Sequence, residues 1–135
     1  MPSGYDSRRV EQIVRRYLAV FLSGDPADLA DLVAPDVVIH GAGTHVRGRQ
    51  YVEQAVHQAG LTCTDMDIHE LFVADDRVVV YSTQRLRHDT TGAEVSLSGL
   101  KMYRLAGGRI VEFWGETDLY GLMRQLGKVP SEIVF

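Results

Sequence analysis

The stretch from Arg109 to Gly127 reads RIVEFWGETDLYGLMRQLG, and it changes character at its centre. The first part, through Trp114, is apolar and aromatic as in a strand, and the last part has the composition of a helix. The change falls at Asp118, so this carboxylate is predicted to lie where a strand leads into a helix. The helix dipole favours the charged acid there, while burial beside Trp114 opposes it. Asp118 is therefore predicted either to transfer protons or to cap the helix.

Size and composition favour one soluble domain spanning residues 1–135. Hydrophobic residues make up 45% of the 135-residue chain and charged residues 24%. The net charge of -4, with no basic run that contains interleaved aromatics, argues against nucleic acid as a partner. There is no membrane-length apolar run, and the N-terminus lacks the apolar core of a signal peptide. We therefore expect no membrane contact and a cytoplasmic location.

The cysteine and histidine spacings predict no metal site. Cys63 is the single cysteine, which rules out an intramolecular disulfide and a cysteine-based metal centre. The five histidines show no spacing such as His-x-x-x-His.

Hydrophobic periodicity divides the chain into a helical half and a strand-rich half. Apolar residues at helical spacing predict a helix over residues 10–22 that ends at Gly24, with Asp6 or Ser7 available as its N-cap. Asp25 and Pro26 open a second, short helix, and residues 36–40 form a brief strand before a glycine-rich loop over residues 41–48. A third helix ends at Gly60, and residues 66–117 form a meander of four antiparallel strands.

The C-terminal motif resembles that of a known family. Gly-Arg-Ile-Val-Glu-Phe-Trp, followed by Asp118, Gly121-Leu122, Gln125-Leu126-Gly127 and Pro130, is similar to the signature of the SnoaL-like polyketide cyclases. These belong to the nuclear transport factor 2-like superfamily, and the order of predicted elements from residue 10 to residue 130 matches it. The resemblance implies an α+β cone in which a curved, mostly antiparallel sheet and N-terminal helices enclose a pocket.

The resemblance also implies an activity, namely intramolecular aldol ring closure of a polyketide-like substrate without a metal or organic cofactor. Asp118 is the implied acid and base, and His40 the candidate donor or proton shuttle. Trp114 and Tyr17 are candidate substrate-binding residues, although both residue types often belong to the core. His40 could equally be a hydrogen-bonded histidine at a strand end.

Four further residues are assigned to the site less directly. His88 lies where many family members have a Gly-Thr-His segment. Arg85 or Arg87, combined with Asp118, could imitate the Asp-Arg-Asp arrangement of limonene-type epoxide hydrolases. Glu116 shares the strand parity of Asp118 and is an alternative acid.

Other functions are compatible with the resemblance, because the superfamily hosts many activities. They include an epoxide hydrolase, an isomerase or dehydratase, a hydroxylation-related member and a non-catalytic binding protein. Ketosteroid isomerase chemistry is discounted, since its general base falls near Gly41 and its oxyanion-hole acid near Lys101. The run Val78-Val-Val-Tyr81 is apolar on both strand faces and predicts a homodimer formed through the sheet.

Overall fold

The computed structural model describes residues 6–41, 43–56 and 60–133. Its helices are α1 (Ser7–Ser23), α2 (Leu29–Leu32), α3 (Arg49–Val56) and α4 (Leu119–Gln125), with a short 3₁₀ turn at Pro26–Asp28. Its strands are β1 (Val33–Gly41), β2 (Thr44–Arg47), β3 (Leu61–Ala74), β4 (Arg77–His88), β5 (Glu94–Ala106) and β6 (Arg109–Thr117). The predicted end of α3 at Gly60 follows residues 57–59, which lie outside the described part.

The first helix forms where periodicity and capping both predict it. The Asp6 carboxylate accepts a hydrogen bond from the Arg8 N–H at 3.0 Å, and Gly24 ends the helix with a left-handed φ of 69°. One face of α1 carries the buried side chains Val10, Ile13, Val14, Tyr17, Leu18 and Val20. This face packs on the sheet and forms the main core of the described residues.

The six strands form one curved, mixed sheet in the order β2-β1-β6-β5-β4-β3. The predicted four-stranded meander is confirmed as β3 to β6, in which each strand is antiparallel to the next. β1 pairs with β6 in parallel. The predicted loop over residues 41–48 was wrong in part, because residues 44–47 form the edge strand β2, which pairs with β1.

The sheet has an inner face, which packs against α1, and an outer face. Strand alternation places Val78 and Val80 of β4 and Tyr103 of β5 on the inner face, where all three are buried. Their neighbours Tyr81 and Leu100 lie opposite each other on the outer face and are 41% and 55% exposed. The fold is therefore the predicted α+β cone, with a curved sheet that helices cover on one side. None of the described helices has the length and apolar character needed to span a membrane.

The last helix closes one end of this arrangement. Leu122 of α4 is buried against Leu86, Val95 and Leu97 of β4 and β5. The Gln125 amide adds two hydrogen bonds to the β5 backbone: its Nε2 donates to the Ser96 carbonyl at 2.9 Å, and its Oε1 accepts from the Ser96 N–H at 2.8 Å. Because Asp118 begins this helix, the orientation of its carboxylate is fixed by the way α4 docks.

Candidate active-site cavity

A cavity of about 390 Å³ lies between the inner face of the sheet and helices α1 and α3. Most of its wall is apolar, as is usual for small-molecule sites. The sheet contributes Ile39 and Phe113, and α3 contributes Val52, Ala55 and Val56. Its polar side chains include Cys63, Gln84, Lys101 and Thr117, all from strands. The cavity can thus hold an apolar molecule that carries a few polar groups.

An aromatic cluster forms one side of the cavity. The Tyr17 ring contacts Phe21 and Tyr103 edge-on, with ring centroids 5.3 and 5.4 Å apart, and Tyr103 lies 5.6 Å from Phe113. Burial raises the pKa of both tyrosine hydroxyls. Both hydroxyls therefore stay protonated at neutral pH, in the form that can donate a hydrogen bond.

Lys101 occupies the centre of the inner face. Its nearest partners across the sheet are Val80 on β4 and Gly115 on β6, and Gly115 is in turn opposite Gly41 on β1. Two glycines thus follow Lys101 across the sheet, and all three positions line the cavity.

The electrostatic surroundings of Lys101 are unusual for a lysine. Within the described ranges no aspartate or glutamate lines the cavity, and none forms an ion pair with Lys101. Burial lowers the pKa of the Lys101 amine, and a smaller opposing effect comes from Cys63. Burial also raises the pKa of the Cys63 thiol, so that the thiol stays neutral.

Asp118 caps α4 and does not line the cavity. Its carboxylate accepts a hydrogen bond from the Gly121 N–H at 2.8 Å, and the residue is exposed. The capping alternative from the sequence is therefore confirmed. Thr117 and Leu119, on either side of it, do line the cavity. The carboxylate thus lies near the cavity without being part of its described wall, and its catalytic role stays a prediction.

His40 is among the residues that line the cavity, but strand pairing places its ring beside that of Trp114 on the outer face, where both ring nitrogens have partners. Nε2 is 2.7 Å from a Glu112 carboxylate oxygen, and Nδ1 pairs with Nδ1 of His45. The Glu112 carboxylate also accepts a hydrogen bond from Arg104 at 3.1 Å. The hydrogen bond from His40, aided by Arg104, lowers the pKa of Glu112. His40 is thus hydrogen-bonded at a strand end, and its role as a donor or proton shuttle stays a prediction.

The remaining predicted residues divide between the two faces of the sheet. Tyr17 lines the cavity, and its role in substrate binding stays a prediction. Trp114 is absent from its described wall; the Trp114 ring stacks on His40, with centroids 5.1 Å apart, and the Arg77 guanidinium lies 5.3 Å from it. Strand alternation gives the inner position to Phe113, and the substrate-binding role of Trp114 stays a prediction.

Arg85 and His88 also lie outside the described cavity wall. Arg85 forms an outer-face ion pair with Asp67 at 2.6 Å and a longer one with Asp65 at 3.9 Å. His88 ends β4, where its Nδ1 is 2.8 Å from the Thr91 hydroxyl. Arg85 has the outer parity of β4, whereas His88 has the inner parity of Gln84 and Leu86 but lies at the end of the strand. The substrate-binding roles of Arg85 and His88 stay predictions.

The sequence reasoning missed Lys101, Gln84 and Thr117 as members of the site. The sequence does contain a signal for Lys101: positions 101, 103 and 105 of β5 point to the same face of the sheet, and the other two are Tyr103 and Leu105. Two apolar neighbours on the same side as a lysine indicate a lysine on the buried face.

The fold and the cavity define the class of protein: an α+β cone that encloses a mostly apolar small-molecule site. A family model described as the SnoaL-like domain matches residues 14–113. The chain belongs to this SnoaL-like family, within the nuclear transport factor 2-like superfamily. No curated protein sequence is significantly similar to it.

Solved structures agree with this assignment. TsrD from Streptomyces laurentii is 25% identical, with a TM-score of 0.81, and the match covers 93% of this chain and 99% of TsrD. IdmH from Streptomyces antibioticus, a proposed polyketide cyclase, is 27% identical with a TM-score of 0.73, and the match covers 87% and 98%. An epoxide hydrolase from M. tuberculosis, of the LEH-like type, shares the fold at 17% identity and a TM-score of 0.75, covering 90% and 92%.

Proposed function

We propose that this single SnoaL-like domain is an enzyme that closes a ring in a polyketide-like substrate by an intramolecular aldol-type reaction. The observation that carries the proposal is the cavity itself. Its wall is mostly apolar and aromatic, and four of its polar side chains, Cys63, Gln84, Lys101 and Thr117, come from four adjacent strands of one sheet face. A substrate with an apolar skeleton and several carbonyl groups matches this distribution.

Ring closure of this kind needs a folded substrate, removal of a proton next to a carbonyl, and stabilisation of the resulting negative oxygen. The cavity supports the first requirement through its curved apolar wall. Tyr17 and Tyr103 support the third, because both line the cavity and their hydroxyls are hydrogen-bond donors. Such a reaction proceeds without a metal or organic cofactor.

The family resemblance gives the proton transfer to Asp118, with His40 as its partner, and this assignment is a proposal to be tested. Asp118→Asn is the informative variant, since asparagine caps helices about as well as aspartate. Retained folding with lost turnover would support the acid–base role. Unchanged turnover would leave Asp118 with the capping role alone.

The direct test is turnover of a panel of aromatic polyketide esters with adjacent carbonyl groups, followed by mass spectrometry and product isolation. Loss of water or a shift in chromatographic mobility at unchanged mass is expected for ring closure. Binding of panel members without any product would favour the non-catalytic member of the superfamily. Gly115→Val, which adds bulk to the cavity wall, should reduce turnover, and Met123→Glu on the exposed surface of α4 serves as its control.

The epoxide-hydrolase alternative has weaker support. It requires a carboxylate and an arginine that act together on water inside the cavity. Arg85 has both of its acidic partners, Asp65 and Asp67, on the outer face. Adding epoxides to the same panel separates the two activities, because diol products would favour hydrolysis.

We also propose a homodimer formed through the outer face of the sheet. Phe72, Tyr81 and Leu100 are exposed there by 56%, 41% and 55%, and Tyr81 is directly opposite Leu100. Leu100→Glu should shift the sedimentation coefficient toward that of a monomer, whereas Met123→Glu on α4 should not. A wild-type monomer at micromolar concentration would contradict the proposal.

A further inference from the structure

The chain contains only two lysines, Lys101 and Lys128, beside twelve arginines. They lie in contrasting environments. Lys128 is exposed near the end of the described chain, whereas Lys101 lines the cavity from the centre of β5. The cavity therefore holds one of the two side-chain amines, and the other serves as an internal reference.

The geometry points to Lys101 as a catalytic nucleophile that forms an imine with a ketone or aldehyde group of the ligand. This inference rests on the proposed function for the class of substrate, and it deepens it by naming a covalent step. Three structural features support it. Among the described residues, Lys101 has no ion-pair partner and the cavity wall contains no aspartate or glutamate. The next two positions across the sheet, Gly115 and Gly41, carry no side chain and also line the cavity.

An amine without a counter-ion is poorly placed to remain charged. Burial disfavours its ammonium form, which increases the share of the neutral amine, the form that attacks carbonyl carbon. An aspartate beside Lys101 would have the opposite effect, since an opposite charge stabilises the ammonium form. The composition of the cavity wall thus favours nucleophilic behaviour over ion pairing.

The step is balanced without any further reactant. The Lys101 nitrogen bonds to the carbonyl carbon, the carbon–oxygen bond breaks, and the oxygen leaves as water with the two protons of the amine. Protonation of the imine makes the adjacent C–H acidic, which is what ring closure requires. Addition of water then restores the carbonyl group and the free amine. None of the described residues that line the cavity is an aspartate or glutamate. Imine formation on Lys101 would therefore supply the activation of the substrate carbonyl group.

The test uses the full-length wild-type protein and pentane-2,4-dione, a small diketone that converts neutral amines into stable enaminones. Samples taken over time are analysed by intact mass and by peptide mapping at neutral pH. We expect Lys101 to be labelled several-fold faster than Lys128, because burial lowers the pKa of the Lys101 amine and so increases its neutral, reactive fraction. Equal labelling, or faster labelling of Lys128, would overturn the proposal.

Reductive trapping provides the second measurement. Any carbonyl compound that the wild type turns over is incubated with the protein and cyanoborohydride, which should leave a covalent adduct on Lys101. Lys101→Arg keeps a cation but cannot form the imine, and Lys128→Arg is the matched control. Turnover should fall at least about a hundredfold in Lys101→Arg, in line with loss of a covalent catalytic group, and stay unchanged in Lys128→Arg.

These outcomes separate the imine from the proposed ring closure. If Lys101→Arg cyclises the panel as fast as the wild type, ring closure stands and the imine is refuted. If Lys101 is labelled selectively while the panel gives no product, the reactive amine stands and the proposed ring closure fails. The wild-type labelling needs no variant, so poor folding of Lys101→Arg would not affect it.

Discussion

Alanine substitutions at Gly99 and Gly115 should change the stability of the protein in opposite directions. Both glycines lie on the inner face of the sheet, Gly99 on β5 and Gly115 on β6, and neither has a positive φ. They differ in the space around them. A Cβ at Gly115 would meet only the Phe113 ring, at 3.7 Å, which is ordinary van der Waals contact. A Cβ at Gly99 would lie 2.6 Å from the Thr117 methyl and 2.9 Å from the Glu116 carbonyl oxygen.

The expected magnitudes follow from these distances. Gly115→Ala should stabilise the protein by about 0.4–1 kcal/mol, because alanine restricts the unfolded chain and fits the native backbone. Gly99→Ala should destabilise it by about 1–3 kcal/mol, because backbone and side-chain atoms must move to relieve the overlap. The two variants should therefore differ by roughly 1.5–4 kcal/mol in the free energy of unfolding.

Urea unfolding at equilibrium, followed by the fluorescence of Trp114, the single tryptophan, measures both effects. Unchanged slopes would show that only stability differs. Destabilisation of Gly115→Ala to the same extent as Gly99→Ala would refute the reasoning, because it would mean that the space facing Lys101 is closed. The same pair can be labelled with pentane-2,4-dione, and Gly115→Ala is expected to retain Lys101 labelling.

Three further predictions concern individual charged groups. Asp118→Ala should lower the free energy of unfolding in urea by about 0.5–2 kcal/mol through loss of the Gly121 cap, while Asp118→Asn should leave it nearly unchanged; equal losses would argue against capping. Lys101→Met should raise stability at neutral pH, because the native state holds the lysine with a lowered pKa. That advantage should shrink as pH rises from the lowered pKa toward about 10.4, the pKa of unfolded lysine, and a pH-independent advantage would contradict it. Glu112→Gln should weaken the loss of stability on acidification, because the lowered pKa of Glu112 gives stability that disappears as pH falls through it; urea midpoints at neutral and acid pH measure the difference.

Much of the fold could be predicted because its local signals are strong. The apolar repeat from Val10 to Leu22, between a capping aspartate and Gly24, specifies α1 by itself. The turns between the long strands are likewise marked by local sequence. β2 was missed because it has only four residues and lies between glycines at the sheet edge, where the pattern resembles a loop. The parallel pairing of β1 with β6 joins residues more than 70 positions apart, and single-sequence periodicity carries no information about such pairs.

The site was harder to predict than the fold, because the sequence does not show which side chains of β6 point toward the helices. Ile110, Val111, Phe113 and Trp114 are large and apolar at both parities, so hydrophobic alternation does not reveal which parity faces the helices. Ile110 and Phe113 both face the helices, although they differ in parity. This is possible because the pairing of β5 with β6 shifts by one residue between Ile110 and Glu112, opposite Leu105 and Arg104. That nonlocal feature moves Trp114 to the outer face beside His40. A motif shared with a family thus located the strand and the helix correctly, while the side that each residue faces depended on a bulge.

The choice of lysine at position 101 is informative in a chain that otherwise uses arginine. Twelve of its fourteen basic residues are arginine, yet the one basic residue of β5 that lines the cavity is lysine. Arginine stays charged at every pH that a protein meets, so an arginine at this position would need a carboxylate or a bound anion to offset its charge. A buried lysine can release its proton. This lowers the free-energy cost of burying a basic side chain in a cavity whose described wall contains no aspartate or glutamate. Loss of the proton also leaves a nucleophilic lone pair on the Lys101 nitrogen, in a cavity that two neighbouring glycines line. The property that allows this lysine to be buried therefore also allows it to react with a carbonyl compound.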